Sequence, residues 1–251
     1  GRNSRIPIRQ VNARNLWSIV KAARGSHLIV NASPAVLNKI ILRAALRLRV
    51  HYLDMASHQT NNTFHAEQLR FDQQFQAKNR AAVINAGLAP GLTNLLVARS
   101  ADLLDKLDTV HIRLYESTGS DEPVAQWSSE AAFDEAVSRP PVYRNGRFHF
   151  GKRFGDRERF RFPRPIGPAG VVLAAQDEVV TLPRFLKLRE LDVKIGGNDF
   201  ERLRVLYRQG KLRKSHGPGA KRFPQTPTPR QMARLVSRGA LYHARFAAAV
   251  V

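Results

Sequence analysis

Three short apolar runs, spaced by segments of helical length, constrain this chain more than any other feature. They are His27-Leu28-Ile29-Val30-Asn31, Val50-His51-Tyr52-Leu53-Asp54 and Ala81-Ala82-Val83-Ile84-Asn85-Ala86-Gly87. Short continuous apolar runs are the mark of strands buried on both faces, and strands alternating with helices imply a parallel sheet. Each run ends in a polar or glycine-bearing turn: Asn31-Ala32-Ser33-Pro34, Asp54-Met55-Ala56-Ser57 and Gly87-Leu88-Ala89-Pro90-Gly91. Ligands of open α/β sheets bind at the carboxyl ends of the strands. The three turns are therefore expected to line one crevice, and that crevice is the expected functional site.

The segments between the runs support this reading. Asn15 can cap a helix from Leu16 to about Arg24, with Trp17, Ile19 and Val20 inward and Gly25 stopping it. Val36, Leu37, Ile40, Ile41, Ala44, Ala45 and Leu48 recur at i, i+3, i+4 spacing after Pro34. A third helix is expected from about Phe64 to Asn79, after a polar turn from His58 to Thr63. A strand end before Asn12 is also expected.

Beyond Gly91 the character changes. Thr93 to Leu104 reads as a helix, Thr109 to Tyr115 as a half-buried strand, and Ser117 to Ser120 as a loop. A short helix capped by Ser128 runs to Val137, and Asn145-Gly146 marks the corner of a hairpin. Strands are expected at Arg159–Phe162, Val171–Ala174 and Glu190–Ile195, then a helix from Phe200 to Tyr207. Lys211 to Pro229 reads as a basic loop, and Arg230 to Val250 as a terminal helix. The expected domains are residues 1–91 (α/β, parallel), 92–225 (α+β, with a mixed or antiparallel sheet) and 226–251 (a terminal helix returning to the first domain).

Composition excludes several classes. With no cysteine among 251 residues, disulfides, thiolate metal sites and thiol nucleophiles are ruled out together. No apolar run approaches the ~20 residues of a membrane span, and a cytoplasmic location is expected. His58 and His65 lie seven apart and make no metal-ligand pair, so no metal is expected. No G-x-S-x-G or P-loop occurs. The net charge of +21 invites a nucleic-acid reading. The positive residues are dispersed, however, and any such binding is expected to be sequence-independent.

At the site, Asn31 and Ser33 bring a carboxamide and a hydroxyl to a strand end, and small neighbours allow close approach. Asp54 would place a carboxylate between two helix N-termini, with capping of the next segment an equal alternative. Asp177-Glu178 before Thr181-Leu182-Pro183-Arg184 reads first as capping.

Taken in order, these motifs, with Leu92-Thr93-Asn94, Asp177 to Arg184 and Lys194-Ile195-Gly196-Gly197-Asn198-Asp199, resemble the saccharopine dehydrogenase (saccharopine reductase) family up to about Tyr207. The resemblance implies a Rossmann-like domain for NAD or NADP, a second domain carrying much of the substrate pocket, and hydride transfer at a carbon–nitrogen bond joining an amino acid or amine to an oxo-acid. It implies cofactor-binding roles for Asn31, Ala32, Ser33, Pro34, Gly87, Pro90 and Gly91. It places Asp54 at the reacting nitrogen, and Ser57, Asn94 and Arg184 on the substrate, Arg184 against a carboxylate. A homodimer is compatible with it. The family's G-x-G-x-x-G is absent from these 251 residues; the resemblance implies a start near the third strand of its Rossmann fold, with ~70 residues or more before that point in the family, so that either the chain is truncated or the fold has lost its cofactor half. The alternatives are a non-catalytic scaffold relative and a non-specific nucleic-acid binder.

Overall fold

The computed structural model describes residues 7–57, 64–120, 129–212 and 228–251. The chain divides into two compact units, one of Gly1–His58 with Glu67–Ala86 and the other of Gln59–Ala66 with Gly87–Val251. The expected turn at 58–63, the Ser128 cap and nearly all of the expected basic loop lie outside the described residues.

In the first unit, helix α1 (Leu16–Ala22) begins where the Asn15 side chain accepts from the Ser18 N–H, so the expected cap is present. Ile19 and Val20 are buried, but Trp17 is 58% exposed, with the Arg47 guanidinium 4.1 Å above its ring. An indole shielded by a stacked guanidinium can stay at the surface. Strand β1 (Leu28–Asn31) is followed by one turn of 3-10 helix (Ala35–Leu37) and helix α2 (Asn38–Leu48). Strands β2 (His51–Asp54) and β3 (Ala82–Val83) complete a parallel sheet of order β1-β2-β3. The α2 face of Ile41, Leu42, Ala44 and Ala45 packs with Ile19, Val20, Tyr52, Phe71 and Phe75 to form this unit's core.

Two expectations fail here. The helix expected over 64–79 is a 3-10 segment (Glu67–Phe71) and a short helix α3 (Asp72–Gln76). Phe71 and Phe75, four residues apart, both reach the core, and Gln68 donates to Asp54. Residues 7–12 form no strand.

The second unit opens with helix α4 (Leu92–Leu103) and a twelve-residue strand β4 (Thr109–Ser120). The loop expected at Ser117–Ser120 is thus strand, paired on one side with residues 241–245 and met on the other by the Asn198 side chain at the Thr118 backbone. Helix α5 (Ser129–Val137) leads to the hairpin β5 (Pro141–Arg144) and β6 (Arg147–Phe150). Asn145 and Gly146 take φ of 48° and 73° at its corner, the left-handed pair such a turn requires. Strands β7 (Glu158–Arg161) and β8 (Pro168–Leu173), helix α6 (Glu178–Thr181), strand β9 (Glu190–Gly196) and helix α7 (Asn198–Arg208) follow.

The terminal helix is the largest correction. Helix α8 (Pro229–Ser237) covers only eight of the 21 residues expected, and Leu241–Val250 is strand β10. This strand pairs antiparallel with β4 and belongs to the second unit. Its four alanines favour a helix locally, yet the ladder to β4 decides the outcome.

The second sheet runs β10-β4-β9-β5-β6, with β8 joining β9 and β7 joining β8. Only β4 and β9 are parallel among these pairs, so the sheet is mixed, as expected. Alternation gives its two faces opposite characters. On one, Val110, Ile112 and Leu114 of β4 lie beside Leu191, Val193 and Ile195 of β9, under Val97, Val179, Phe200 and Leu203. On the other, Arg113 (4% exposed) donates to Glu158 at 2.5 Å and 3.1 Å and to Asp192. Arg144 donates to Asp192 at 3.0 Å, and Lys194 to Glu158 at 2.6 Å.

Candidate functional site

In the first unit, the ends of the strands carry a buried polar network. Asn31 and Asp54 are Cα partners across β1 and β2. Asn31 Nδ2 donates to Asn38 Oδ1 at 2.8 Å and to the Tyr52 hydroxyl at 3.0 Å. Its Oδ1 accepts from the Ser33 N–H at 3.1 Å and from the Ser33 hydroxyl. The Tyr52 hydroxyl donates to Asp54 Oδ2, which also accepts from Gln68 at 3.2 Å. Asp54 Oδ1 accepts from the Asn85 N–H at 2.8 Å. Asn85 Oδ1 in turn accepts from the Ser57 hydroxyl at 2.8 Å.

Burial dominates the electrostatics of this network. Asp54 is 1% exposed, and loss of hydration raises its pKa, an effect that the Asn85, Tyr52 and Gln68 donors oppose. Burial and the neighbouring Asp54 charge raise the Tyr52 pKa. Tyr52 is therefore a fixed donor, and a carboxylate held by three donors is oriented rather than free to swing. Among the described residues Asp54 caps no helix; its oxygens are held by Tyr52 of its own strand, by Gln68 and by the Asn85 N–H.

A cavity of about 550 Å³ lies in the same unit against β1. Asn31, Ala32 and Ser33 line it together with Arg9, Arg24 and Val30. Small residues, a carboxamide and two guanidinium groups suit a ligand that joins a flat polar body to phosphate. Pro34 follows in the same turn and precedes the 3-10 segment.

The remaining expected residues belong to the second unit. Gly87 and Gly91 bridge each other, and the Leu92 N–H donates to the Gly87 carbonyl, which closes the turn containing Pro90. The Gly91 N–H donates to Asn94 Oδ1 at 3.0 Å, and Asn94 Nδ2 donates to the Thr181 hydroxyl at 3.1 Å. Arg184 Nε donates to the Val180 carbonyl, and one Nη to the Phe64 carbonyl at 2.9 Å and against His65. Asp177 precedes α6 without a side-chain cap; Glu178 instead accepts from the Thr93 hydroxyl at 2.6 Å.

Asn31, Ser33, Asp54 and Ser57 thus come together in one network, while Gly87, Pro90, Gly91, Asn94 and Arg184 are placed in the other unit. The tip of the third strand within the first unit is Asn85, not Gly87. Sequence reasoning passed over Asn38, Tyr52, Gln68 and Asn85. Tyr52 had a signal, since it stands two residues before Asp54 in one strand and shares its face. It is Tyr52 that packs inward, and His51 is exposed, its Nδ1 accepting from the Ala81 N–H. No group of three metal-ligating side chains occurs among the described residues, and none of their helices is long and apolar enough to cross a membrane.

Comparison with known proteins finds similar sequences and a similar fold. Residues 2–83 match the family described as Saccharopine dehydrogenase NADP binding domain. The carboxynorspermidine synthase of Vibrio cholerae is 29% identical over 121 residues, 44% of this chain and 29% of that protein. The carboxynorspermidine synthase of Vibrio alginolyticus is 22% identical over 206 residues, 78% of this chain and 50% of that protein. The chain thus spans half or less of the length of these curated relatives. Among solved structures, apo saccharopine dehydrogenase (L-Glu forming) from Saccharomyces cerevisiae superposes with a TM-score of 0.58 at 12% identity, covering 90% of this chain and 59% of that one. That likeness bears on the fold. Residues 2–83 thus match the nucleotide-binding domain of that family, and the fold is shared with saccharopine dehydrogenase over nine-tenths of the chain.

Proposed function

We propose that this chain forms part of an NAD(P)-dependent oxidoreductase acting on a carbon–nitrogen bond, with an amine or amino acid and an oxo-acid as its reacting partners. The observation that carries the reading is the Asn31–Tyr52–Asp54–Asn85 network beside a cavity bearing Arg9 and Arg24. The family description adds a nicotinamide cofactor. When bound, the cofactor supplies or takes the hydride. In this reading Asn31, Ala32, Ser33 and Pro34 border it through the turn after β1, and the two arginines neutralise its phosphates. Gly87, Pro90 and Gly91 are the proposed second cofactor-facing turn, and Ser57, Asn94 and Arg184 the proposed substrate contacts.

Asp54 is proposed as the acidic residue of the site. Its two oxygens are held by Tyr52, Gln68 and Asn85, so it acts by fixing those groups.

The test is a fluorescence titration of this chain with NADH and NADPH, followed by turnover of amine and oxo-acid pairs in the full-length protein. Saturable cofactor binding, weakened at least about tenfold in Arg9→Ala/Arg24→Ala, is expected, since a desolvated phosphate contact is worth about 1.5–3 kcal/mol. In the full-length protein Asp54→Asn is expected to lower turnover more than cofactor affinity. No binding of either nucleotide, or turnover unaffected by Asp54→Asn, would count against the reading and against Asp54 respectively.

A further inference from the structure

Strand β7 sends its alternate side chains to opposite faces of the second sheet. Glu158 reaches the polar face, where Arg113 and Lys194 donate to it at 3.1 Å and 2.6 Å. Phe162, just past the strand, lies on the same side, its ring 5.6 Å from that of Tyr115. The intervening residues Arg157, Arg159 and Arg161 are turned the other way, and all three are exposed. In register with Arg159 and Arg161, strand β8 presents Gly170 and Pro168, which carry no polar side chain.

A cavity of about 460 Å³ opens on this outer face, lined by Arg157, Glu158, Arg159, Pro168 and Gly170. Glu158 lends it main chain, because its carboxylate is held on the far side. A β-carbon built on Gly170 would stand 3.5 Å from an Arg157 Nη, so this guanidinium lies across the glycine. The missing side chain at Gly170 is thus what leaves room between the two arginines. The volume falls within the ~300–1,000 Å³ of small-molecule sites.

The charge of this cavity is uncompensated. Asp156 and Glu158, the acidic neighbours of Arg157 in sequence, are engaged by Arg144, Lys194 and Arg113. Among the described residues Arg157, Arg159 and Arg161 have no ion pair and no side-chain hydrogen bond. Residues two apart in a strand repeat at ~6.6 Å, so three like charges stand in a row. A solvated arginine face would carry the same charges without a cavity between them. One guanidinium pairs bidentately with one phosphate or carboxylate. A single carboxylate fills one such fork, whereas a diphosphate offers oxygens on two phosphorus atoms and can meet both arginines. The aromatic rings of this segment, Phe160 and Phe162, pair with each other at 4.8 Å. They lie on the opposite face, away from where bases would need to stack.

We propose that Arg157 and Arg159, with the open floor at Gly170 between them, form a binding site for a diphosphate group, which Arg161 flanks. The site belongs to the second unit and does not rest on the cofactor role given to Arg9 and Arg24.

The experiment is a residue-resolved NMR titration of the 251-residue chain with inorganic pyrophosphate, at low salt and without magnesium or nucleotide. Saturable shifts of the Arg159 and Gly170 amide signals are expected. Arg157→Gln/Arg159→Gln should weaken them at least about tenfold, the loss of charge-assisted hydrogen bonds. Gly170→Val keeps every charge but fills the floor, and should weaken them at least about fivefold. Malonate, a dianion without phosphorus, should bind at least about fivefold more weakly than pyrophosphate. Arg9→Ala/Arg24→Ala should leave the Arg159 and Gly170 shifts unchanged. No shift at these two amides, equal binding of malonate, or tighter binding of a thymidine decanucleotide than of pyrophosphate would overturn the proposal. Unchanged affinity in the double glutamine variant, whose replaced side chains are exposed, would overturn it even where Gly170→Val does not fold. A failed dehydrogenase assay leaves these shifts standing, and the reverse holds as well.

Discussion

The Tyr52 hydroxyl donates to Asp54 Oδ2 at 2.9 Å, and the two residues stand two apart in a single strand. Strand alternation puts both side chains on one face, where the same hydroxyl accepts from Asn31 of the neighbouring strand. One oxygen therefore ties together two strand ends that sequence separates by 21 residues.

Removing that oxygen isolates its effect. Tyr52→Phe keeps the ring in the core but leaves Asn31 Nδ2 and Asp54 Oδ2 each short of a partner. Loss of a buried partner costs about 1–3 kcal/mol. Chemical denaturation should show a drop in that range with an unchanged m-value. A smaller change would mean that water or a shifted side chain replaces the hydroxyl.

What was legible in the sequence followed from periodicity. Leu28–Asn31 and His51–Asp54 are short apolar runs ending in polar residues, and parallel pairing puts Asn31 opposite Asp54. The hairpin at Asn145-Gly146 was equally plain, because only left-handed backbone fits that corner. Less legible were residues whose role depends on distant partners. Asn38 and Gln68 sit among helical positions, and nothing local announces that they reach the Ala56 carbonyl and Asp54. Leu241–Val250 misled for the same reason: three successive alanines favour helix, and only the ladder to Ile112–Ser120 makes them strand.

Two glycines separate backbone strain from steric exclusion. Gly146 has φ +73° and nothing within 4 Å of an added Cβ. Gly146→Ala should therefore cost only about 1 kcal/mol, the strain of an alanine in that region. Gly197 has φ +102°, and a Cβ there would lie 2.0 Å from the Glu116 carbonyl oxygen. Both strands would have to part, so Gly197→Ala should cost several kcal/mol or abolish folding of the second unit. Thermal melts of the two variants side by side would check the ranking; equal losses would contradict it.

Arg113 is the cation on which the polar face of the second sheet depends. Its guanidinium bridges Glu158 and Asp192, and the Asp192 carboxylate is only 2% exposed. Although burial pulls Asp192 up, His111, its Nδ1 3.3 Å from the carboxylate, and the Arg113 charge hold it below the usual carboxylate range. Truncation to Arg113→Ala would leave a buried carboxylate with Arg144 and His111 only. Breaking a buried pair from one side costs about 3–5 kcal/mol. Arg113→Met, which keeps the volume but not the charge, should be similarly destabilised, because the exposed cost is electrostatic. Recovery of stability in Arg113→Met would assign the loss to packing instead.

The two sets of carboxylates set opposite slopes of stability against pH. Asp192, Glu158 and Glu190 are held low, the first two against burial by cationic partners and Glu190 chiefly by the Arg144 hydrogen bond. Their contribution is present above the ordinary carboxylate range and is lost as pH falls through their lowered values. Asp54, Glu116, Glu135 and Glu178 are raised, in each case chiefly by burial. The folded chain holds these protons more tightly than the unfolded one, so their contribution is full below the ordinary range and is lost as pH rises through the folded values, which for Glu135 means about 8. Melting temperature should therefore be highest near pH 5, just above the ordinary carboxylate pKa, and decline toward pH 9. Glu135→Gln removes a group that titrates within this range and should flatten the decline between pH 6.5 and pH 9. A variant whose melting temperature falls as steeply as the parent's over that interval would show that Glu135 is already ionised in the folded chain at neutral pH.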